Sequence, residues 1–207
     1  MLDFKNILFY SLFLFSFASF TKKSEHLVSI NSLSSSFYLD IRYATSNNFL
    51  GEKLYDCSVC LLLPEVAEAL NNANYYFCDR GFVLTLFDCY RPLSVQKKMW
   101  TKVPNPIYVA NPAIGSVHNR GAAVDLTLKT INGKNIDMGT EYDFFGRAAH
   151  IDNLNLPNEV VVNRKILQDG MKSFGFVTIQ SEWWHFNFVK KNGSPVLNSP
   201  LPCNQAF

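Results

Sequence analysis

The sequence predicts an α+β fold: one domain with a mainly antiparallel central sheet and helices packed on one side. Three observations predict it. Apolar stretches of helical and of strand period mix along the chain with no regular strand–helix–strand repeat. No linker interrupts the chain, so a single domain is expected over residues 23–207. The chain has 207 residues, enough to bury a sizeable core.

At the N-terminus, Lys5 precedes an apolar run from Ile7 to Phe20, with the small residues Ala18 and Ser19 near a cleavage point. The run is too short and too Ser-broken for a span of roughly 20 residues. Residues 1–22 therefore read as a signal peptide that is cleaved, with an uncleaved anchor as the alternative. Export places the protein in the periplasm or outside the cell, with no stable membrane span after processing.

Residues 37–55 alternate apolar and polar, then turn at Asn47, Asn48 and Gly51, giving a short strand and a loop. Residues 63–81 form a helix, with Pro64 in its first turn and Gly81 as its stop. Residues 82–92 form a strand ended by Pro92, and 93–103 a second helix capped by Ser94. The Pro/Gly-rich stretch 104–116 is a loop long enough to act as a lid. A strand follows at 122–128, then a turn and short strand at 131–139. Residues 163–176 contain a third helix ended at Phe174-Gly175, and 177–189 form the last strand, followed by a loosely wrapped Pro-rich tail.

Net charge is +2, and no run of Lys or Arg exceeds two residues, so nothing argues for a nucleic-acid partner. Cysteines stand at 57, 60, 78, 89 and 203. The single C-x-x-C lacks a second pair for a zinc knuckle and a thioredoxin-type helix start. In an exported protein, one or two structural disulfides and at least one free thiol are expected. Cys60–Cys89 is the first pairing to expect, because each residue borders a core element.

Of four histidines, His118 lies in a loop between Gly115 and Gly121, and His185 follows Glu182 by three residues in "SEWWHF". Asp125 lies inside the 122–128 strand. Strand parity puts Ala122, Val124, Leu126 and Leu128 on one apolar face, which must be core. Asp125 therefore faces a cleft or solvent, with Ala123 leaving room beside it. His118 differs from Asp125 in parity, but Gly121 lets the chain bend and swing the imidazole over. Glu182 and His185 also differ in parity, so an irregularity is expected between them. His26 and His150 lack such settings.

Two His and one Asp leave a fourth position open, as in a catalytic zinc site. A carboxylate that is not a ligand, Glu182, suits the general base. Arg91, at a strand end in "FDCYRP", suits a developing oxyanion.

"SVHNRGAAVDLTL" followed by "EWWHF" resembles the zinc D-alanyl-D-alanine dipeptidases, within a wider group of D,D-carboxypeptidases and hedgehog-like domains. "RYATSNNFLG", "FDCYRP", "MGTEYDFFG", "NRKIL" and "SFGF" fall in that family's order, so the resemblance covers nearly the whole mature chain. It implies one Zn2+ per chain, bound by His118, Asp125 and His185. It implies Glu182 as the base that activates water and passes the proton to the leaving amine, and Arg91 as the oxyanion stabiliser. Asp88 resembles the residue that orients this arginine. Tyr43, Ser116 and Asp143 resemble substrate-pocket residues, Asp143 suiting the ammonium and Ser116 the carboxylate of a small zwitterion. The implied substrate is the dipeptide D-Ala-D-Ala. Two readings compete: a D,D- or L,D-carboxypeptidase on longer wall peptides, and a non-catalytic wall-peptide-binding module. The best-known family members act in the cytosol and do not need these cysteines, so an exported member suits wall turnover or scavenging.

Overall fold

The computed structural model describes residues 26–33 and 37–204. The signal-peptide expectation for residues 1–22 lies outside the described residues. Among those described, no helix is long and apolar enough to cross a membrane.

Among the described residues, ten regular elements follow one another as β1 (Val28–Ser29), β2 (Tyr38–Leu39), β3 (Leu61–Leu62), α1 (Pro64–Cys78), β4 (Phe82–Asp88), α2 (Leu93–Lys102), β5 (Ala123–Thr130), α3 (Asn158–Ser173), β6 (Phe176–Ile179) and β7 (Glu182–Phe188), with short 3-10 turns between some of them. Five strands form the main sheet in the order β2-β4-β5-β7-β6, and β1 pairs with β3 in a small second sheet. Of the five strand pairs among the described residues, β2–β4 is parallel and the other four are antiparallel. The expected α+β architecture is the one observed.

One sheet face carries the main core. Leu84 and Leu86 of β4 lie opposite Leu128 and Leu126 of β5, and Val124 lies opposite Phe186 of β7. All six are buried, as parity requires for β5. Helices α1 and α3 pack on β4 and β6 and against each other. They bury Val66, Leu70 and Phe77 from α1 and Val160, Leu167 and Met171 from α3. Asn74 ties α1 to the sheet by accepting the Leu84 N–H at 3.0 Å.

Several element boundaries differ from the sequence reading. The last predicted strand is a hairpin: β6 and β7 are separated by a turn at Gln180-Ser181, two polar residues that interrupt the apolar run. Helix α3 starts at Asn158, five residues early, because Pro157 presets the helical entry. Ser94 does not cap α2; Pro92 holds the N-cap position. The Ser94 N–H instead donates to Asn198 Oδ1 at 2.7 Å, so a tail residue supplies the cap that the helix lacks locally. The strand expected at 82–92 leaves the sheet after Asp88, since the Tyr90 and Arg91 amides bond to Leu61 and His118 carbonyls instead. The short strand expected in 131–139 reduces to one bridge, Asn135 to Lys129.

The tail is not loose. Leu197 N–H donates to Asn119 O, Tyr90 Oη–H to Ser199 O, and Cys203 is disulfide-bonded to Cys57. The expected Cys60–Cys89 disulfide is present, and Cys78 takes part in neither bridge.

Candidate metal centre and cleft

The second face of the sheet holds a polar row. Asp88 on β4, Asp125 on β5 and His185 on β7 lie directly opposite one another across three strands. Simple alternation would not produce this. The β4–β5 register shifts between Leu86 and Asp88, so Phe87 is an extra residue and Asp88 turns onto the Asp125 face. A second irregularity separates Glu182 from Phe186 on β7, where the pairing with β6 shifts between Thr178 and Ile179. This is the expected break between Glu182 and His185, and it leaves Glu182 Oε2 3.8 Å from His185 Nδ1.

His118 reaches the row from the loop before β5. It opens a single 3-10 turn, His118–Arg120, that ends at Gly121 with φ 65° and ψ 25°. That left-handed conformation favours glycine, and a Cβ there would lie 2.5 Å from the Leu27 side chain. The turn brings His118 Nε2 to 3.2 Å from Asp125 Oδ1.

Ring orientation decides what these groups can hold. His118 Nδ1 lies 2.7 Å from the carbonyl oxygen of Cys89, which can only accept, so Nδ1 carries the proton and Nε2 presents a lone pair. His185 Nε2 lies 2.8 Å from Asn187 Oδ1, so its Nδ1 presents a lone pair in turn. These two lone pairs meet at 3.2 Å, with Asp125 Oδ1 3.0 Å from His185 Nδ1. Three buried ligand atoms facing one point can share a cation. The three ligand atoms lie within 4.8 Å of one another, and a two-imidazole, one-carboxylate set suits Zn2+ with an open position. Tyr142 Oη–H donates to the other Asp125 oxygen at 2.9 Å and fixes the carboxylate plane.

Arg91 lies beside this centre. Its Nε and Nη2 both donate to Asp88 Oδ2, at 3.0 and 2.6 Å, and its Nη1 donates to Gln96 Oε1 of α2 at 2.9 Å. Tyr55 Oη–H occupies Asp88 Oδ1 at 2.8 Å, so the buried carboxylate is fully engaged. Asp88 thus lies behind Arg91 rather than in the cleft. Tyr43, Arg91, Ser116, His118, Asp125, Asp143, Glu182 and His185 all line one cleft of about 290 Å³. Residues 106–110 of the long loop wall it, and Tyr108 of that loop stacks on Phe145 at 4.2 Å between ring centres. A larger groove of about 720 Å³ lies beyond Tyr142 and Phe87, without the histidines, Arg91 or Glu182.

Burial and neighbouring charge tune the cleft. Burial opposes the charge on Asp125, but His118 beside it outweighs this and holds the carboxyl well below the usual range. For His118, burial favours the neutral ring and the Asp125 charge overcomes it, raising the pKa. Glu182 is pushed up to about 7, chiefly by burial and partly offset by His185. Asp143 is raised to about 8 by burial and by the charge of Asp125. Tyr43 Oη–H donates to its carboxylate, at 3.1 Å to the nearer oxygen.

Five contributors escaped the sequence reading: Tyr55, Gln96, Asn119, Tyr142 and Asn187. Asn187 was accessible in principle, since it shares the His185 face two residues on. The others have no spacing signal, because their roles depend on contacts between distant segments. Asn119, for example, donates from Nδ2 to the Arg91 carbonyl at 2.7 Å.

The family description "D-Ala-D-Ala dipeptidase" matches residues 23–206. The chain belongs to this family. A D-alanyl-D-alanine dipeptidase of Escherichia coli (strain K12) is 34% identical over 165 residues, covering 80% of this chain and 86% of the relative. That of Streptomyces coelicolor is 30% identical, covering 78% and 91%. That of Enterococcus faecalis is 28% identical, covering 72% and 85%. Among solved structures, an LD-carboxypeptidase is similar at a TM-score of 0.45 and 20% identity, covering 62% of this chain and 59% of that one.

Proposed function

We propose that this chain is a zinc metallopeptidase that hydrolyses D-Ala-D-Ala to two D-alanines. The observation that carries this reading is the convergence of His118 Nε2, Asp125 Oδ1 and His185 Nδ1 beside Glu182 and Arg91 in one small cleft. Bound there, zinc would polarise the scissile carbonyl and acidify water. The protein's own groups do the rest. Glu182, 3.8 Å from His185, takes a proton from the attacking water and returns it to the leaving amine. Arg91, held rigid by Asp88 and Gln96, faces the carbonyl oxygen as negative charge develops.

Dipeptide length is supported by two groups in the cleft lining that suit the two charged ends of a small zwitterion. Asp143 with Tyr43 receives the substrate ammonium, and Ser116 receives the carboxylate. The wall formed by residues 106–110 and Phe145 supports a small substrate over a long wall peptide. Two disulfides suit an oxidising compartment, which supports export and a role in wall turnover or scavenging.

Amino-acid release from D-Ala-D-Ala, L-Ala-L-Ala and a wall pentapeptide, with and without chelator, tests the reading. Hydrolysis is expected for D-Ala-D-Ala alone, and only with metal. Faster release from the pentapeptide would replace this reading with a carboxypeptidase. Glu182→Ala should lower kcat by about 10²- to 10⁴-fold while zinc content is unchanged.

A further inference from the structure

We propose that the buried Cys60–Cys89 disulfide is a positioning device for the metal centre: it fixes the main chain that orients His118, so that breaking it weakens metal binding. The inference rests on the metal-site reading above and concerns residues outside the ligand set.

Cys60 and Cys89 are 0% and 1% exposed, so the bridge is part of the interior. Cys60 immediately precedes β3, and Cys89 immediately follows β4. At Asp88 the β4–β5 ladder ends. Residues 89–91 therefore run beyond the sheet, and strand pairing with β5 no longer fixes them. Yet this segment meets the site at every residue but one. The Cys89 carbonyl accepts from His118 Nδ1 at 2.7 Å, which sets the tautomer that leaves Nε2 available. The Arg91 amide donates to the His118 carbonyl at 3.1 Å, and the Arg91 carbonyl accepts from Asn119 Nδ2 at 2.7 Å. The Tyr90 amide turns the other way, donating to Leu61 O at 3.0 Å. That single hydrogen bond and the disulfide tie the segment back to β3. The next residues of that region reach the same turn from behind, as the Leu63 amide donates to Gly121 O at 3.0 Å. The covalent bond thus lies between the two backbones that bracket the His118 turn.

A partner that orients a histidine ligand typically changes metal affinity by about 10- to 100-fold when it is lost. Here the partner is a main-chain carbonyl, which no side-chain substitution removes. Loosening its anchor is the available perturbation. The second disulfide provides an internal control. Cys57–Cys203 closes a sequence separation of 146 residues against 29 for Cys60–Cys89, so by chain entropy it contributes more to global stability. It carries no carbonyl bonded to a ligand.

The two bridges should therefore separate stability from metal binding. Full-length Cys60→Ala/Cys89→Ala and Cys57→Ala/Cys203→Ala proteins are compared with wild type. Zinc affinity is read by competition with a chromophoric chelator at 25 °C, and Tm is measured on the chelator-treated proteins. The Cys60/Cys89 variant is expected to bind zinc at least about 10-fold more weakly. The Cys57/Cys203 variant is expected to melt at a lower temperature than wild type with a clearly smaller loss of zinc affinity, since the tail it releases reaches the His118 turn through Asn119 and Arg120 and not through His118 itself. Wild-type zinc affinity in the folded Cys60/Cys89 variant overturns the proposal, as does equal weakening in both variants. A wild-type protein that takes up no zinc would instead sink the metal-site reading, and this inference with it. Should the Cys60/Cys89 variant not fold, wild-type amide exchange decides. Residues 88–91 and 118–121 must exchange equally slowly with and without zinc, and ordering of these segments only on zinc addition overturns the proposal.

Discussion

Asp143 is, among the described residues, the one non-glycine residue with positive φ, at 60°. Such backbone costs about 1 kcal/mol or more and recurs where a side chain is aimed for function. Its carboxyl faces the cleft with a pKa of about 8, raised by burial. Because the folded pKa lies above the ordinary 3.8, protonation favours the fold. The associated stability is complete below about pH 3.8 and is lost progressively as pH rises towards 8. Asp143→Asn keeps the shape without the charge. Chelator-treated Asp143→Asn should melt several degrees above wild type at pH 9, and the gap should narrow towards pH 5. In the zinc enzyme, KM for D-Ala-D-Ala should rise at least about tenfold, since a bound ammonium favours the ionised Asp143 carboxylate and the resulting charge-assisted hydrogen bond is one that Asn cannot form. A Tm difference that is the same at both pH values would show that this carboxyl does not titrate in that range. Asp143 was legible in the sequence only through family resemblance, because neither its φ nor its burial has a local signature.

The elements explain why helix and strand periodicity were sufficient for the architecture and insufficient for the site. Regular alternation places Leu126 and Asp125 on opposite faces, and burial follows it. The two register shifts, at Phe87 and between Glu182 and Phe186, break alternation and re-aim Asp88 and Glu182. The second was expected from the Glu182–His185 parity conflict; the first had no comparable pair to expose it. Helix α3 carries a test of packing against propensity. A Cβ on Gly170 would lie 2.3 Å from the ring of Phe77, which is fully buried on α1. Alanine gains about 1 kcal/mol of helix propensity, whereas overpacking costs about 1–3 kcal/mol. Gly170→Ala should therefore be neutral to destabilising by up to about 2 kcal/mol in urea unfolding. A variant clearly more stable than wild type would mean that the α1–α3 interface can relax. Gly121→Ala meets both strain and a close contact, and is expected to destabilise by about 1–3 kcal/mol and to weaken zinc binding through the displaced His118.

Across the whole molecule, the tail and the disulfides connect segments that the sheet alone leaves apart. Residues 194–203 bind the α2 start, the His118 turn and Cys57. Loss of the Cys57–Cys203 bridge should cost about 2–5 kcal/mol in chemical denaturation, the usual range for a native disulfide. Zinc should raise the Tm of chelator-treated protein in proportion to the logarithm of its free concentration, because the site exists only in the folded chain. A Tm independent of zinc would exclude the metal-site reading. By itself the sequence determined the α+β architecture, the core face of β5 and the candidate set His118, Asp125, Glu182, His185 and Arg91. Those features rest on local period, residue chemistry and motif, which are properties of short segments. The Asp88–Asp125–His185 row, the Cys89 and Asn187 contacts that set both imidazole tautomers, and the tail that caps α2 were decided by tertiary structure alone. Each depends on register or on main-chain groups brought together from distant segments, and a carbonyl oxygen has the same identity at every position of the sequence.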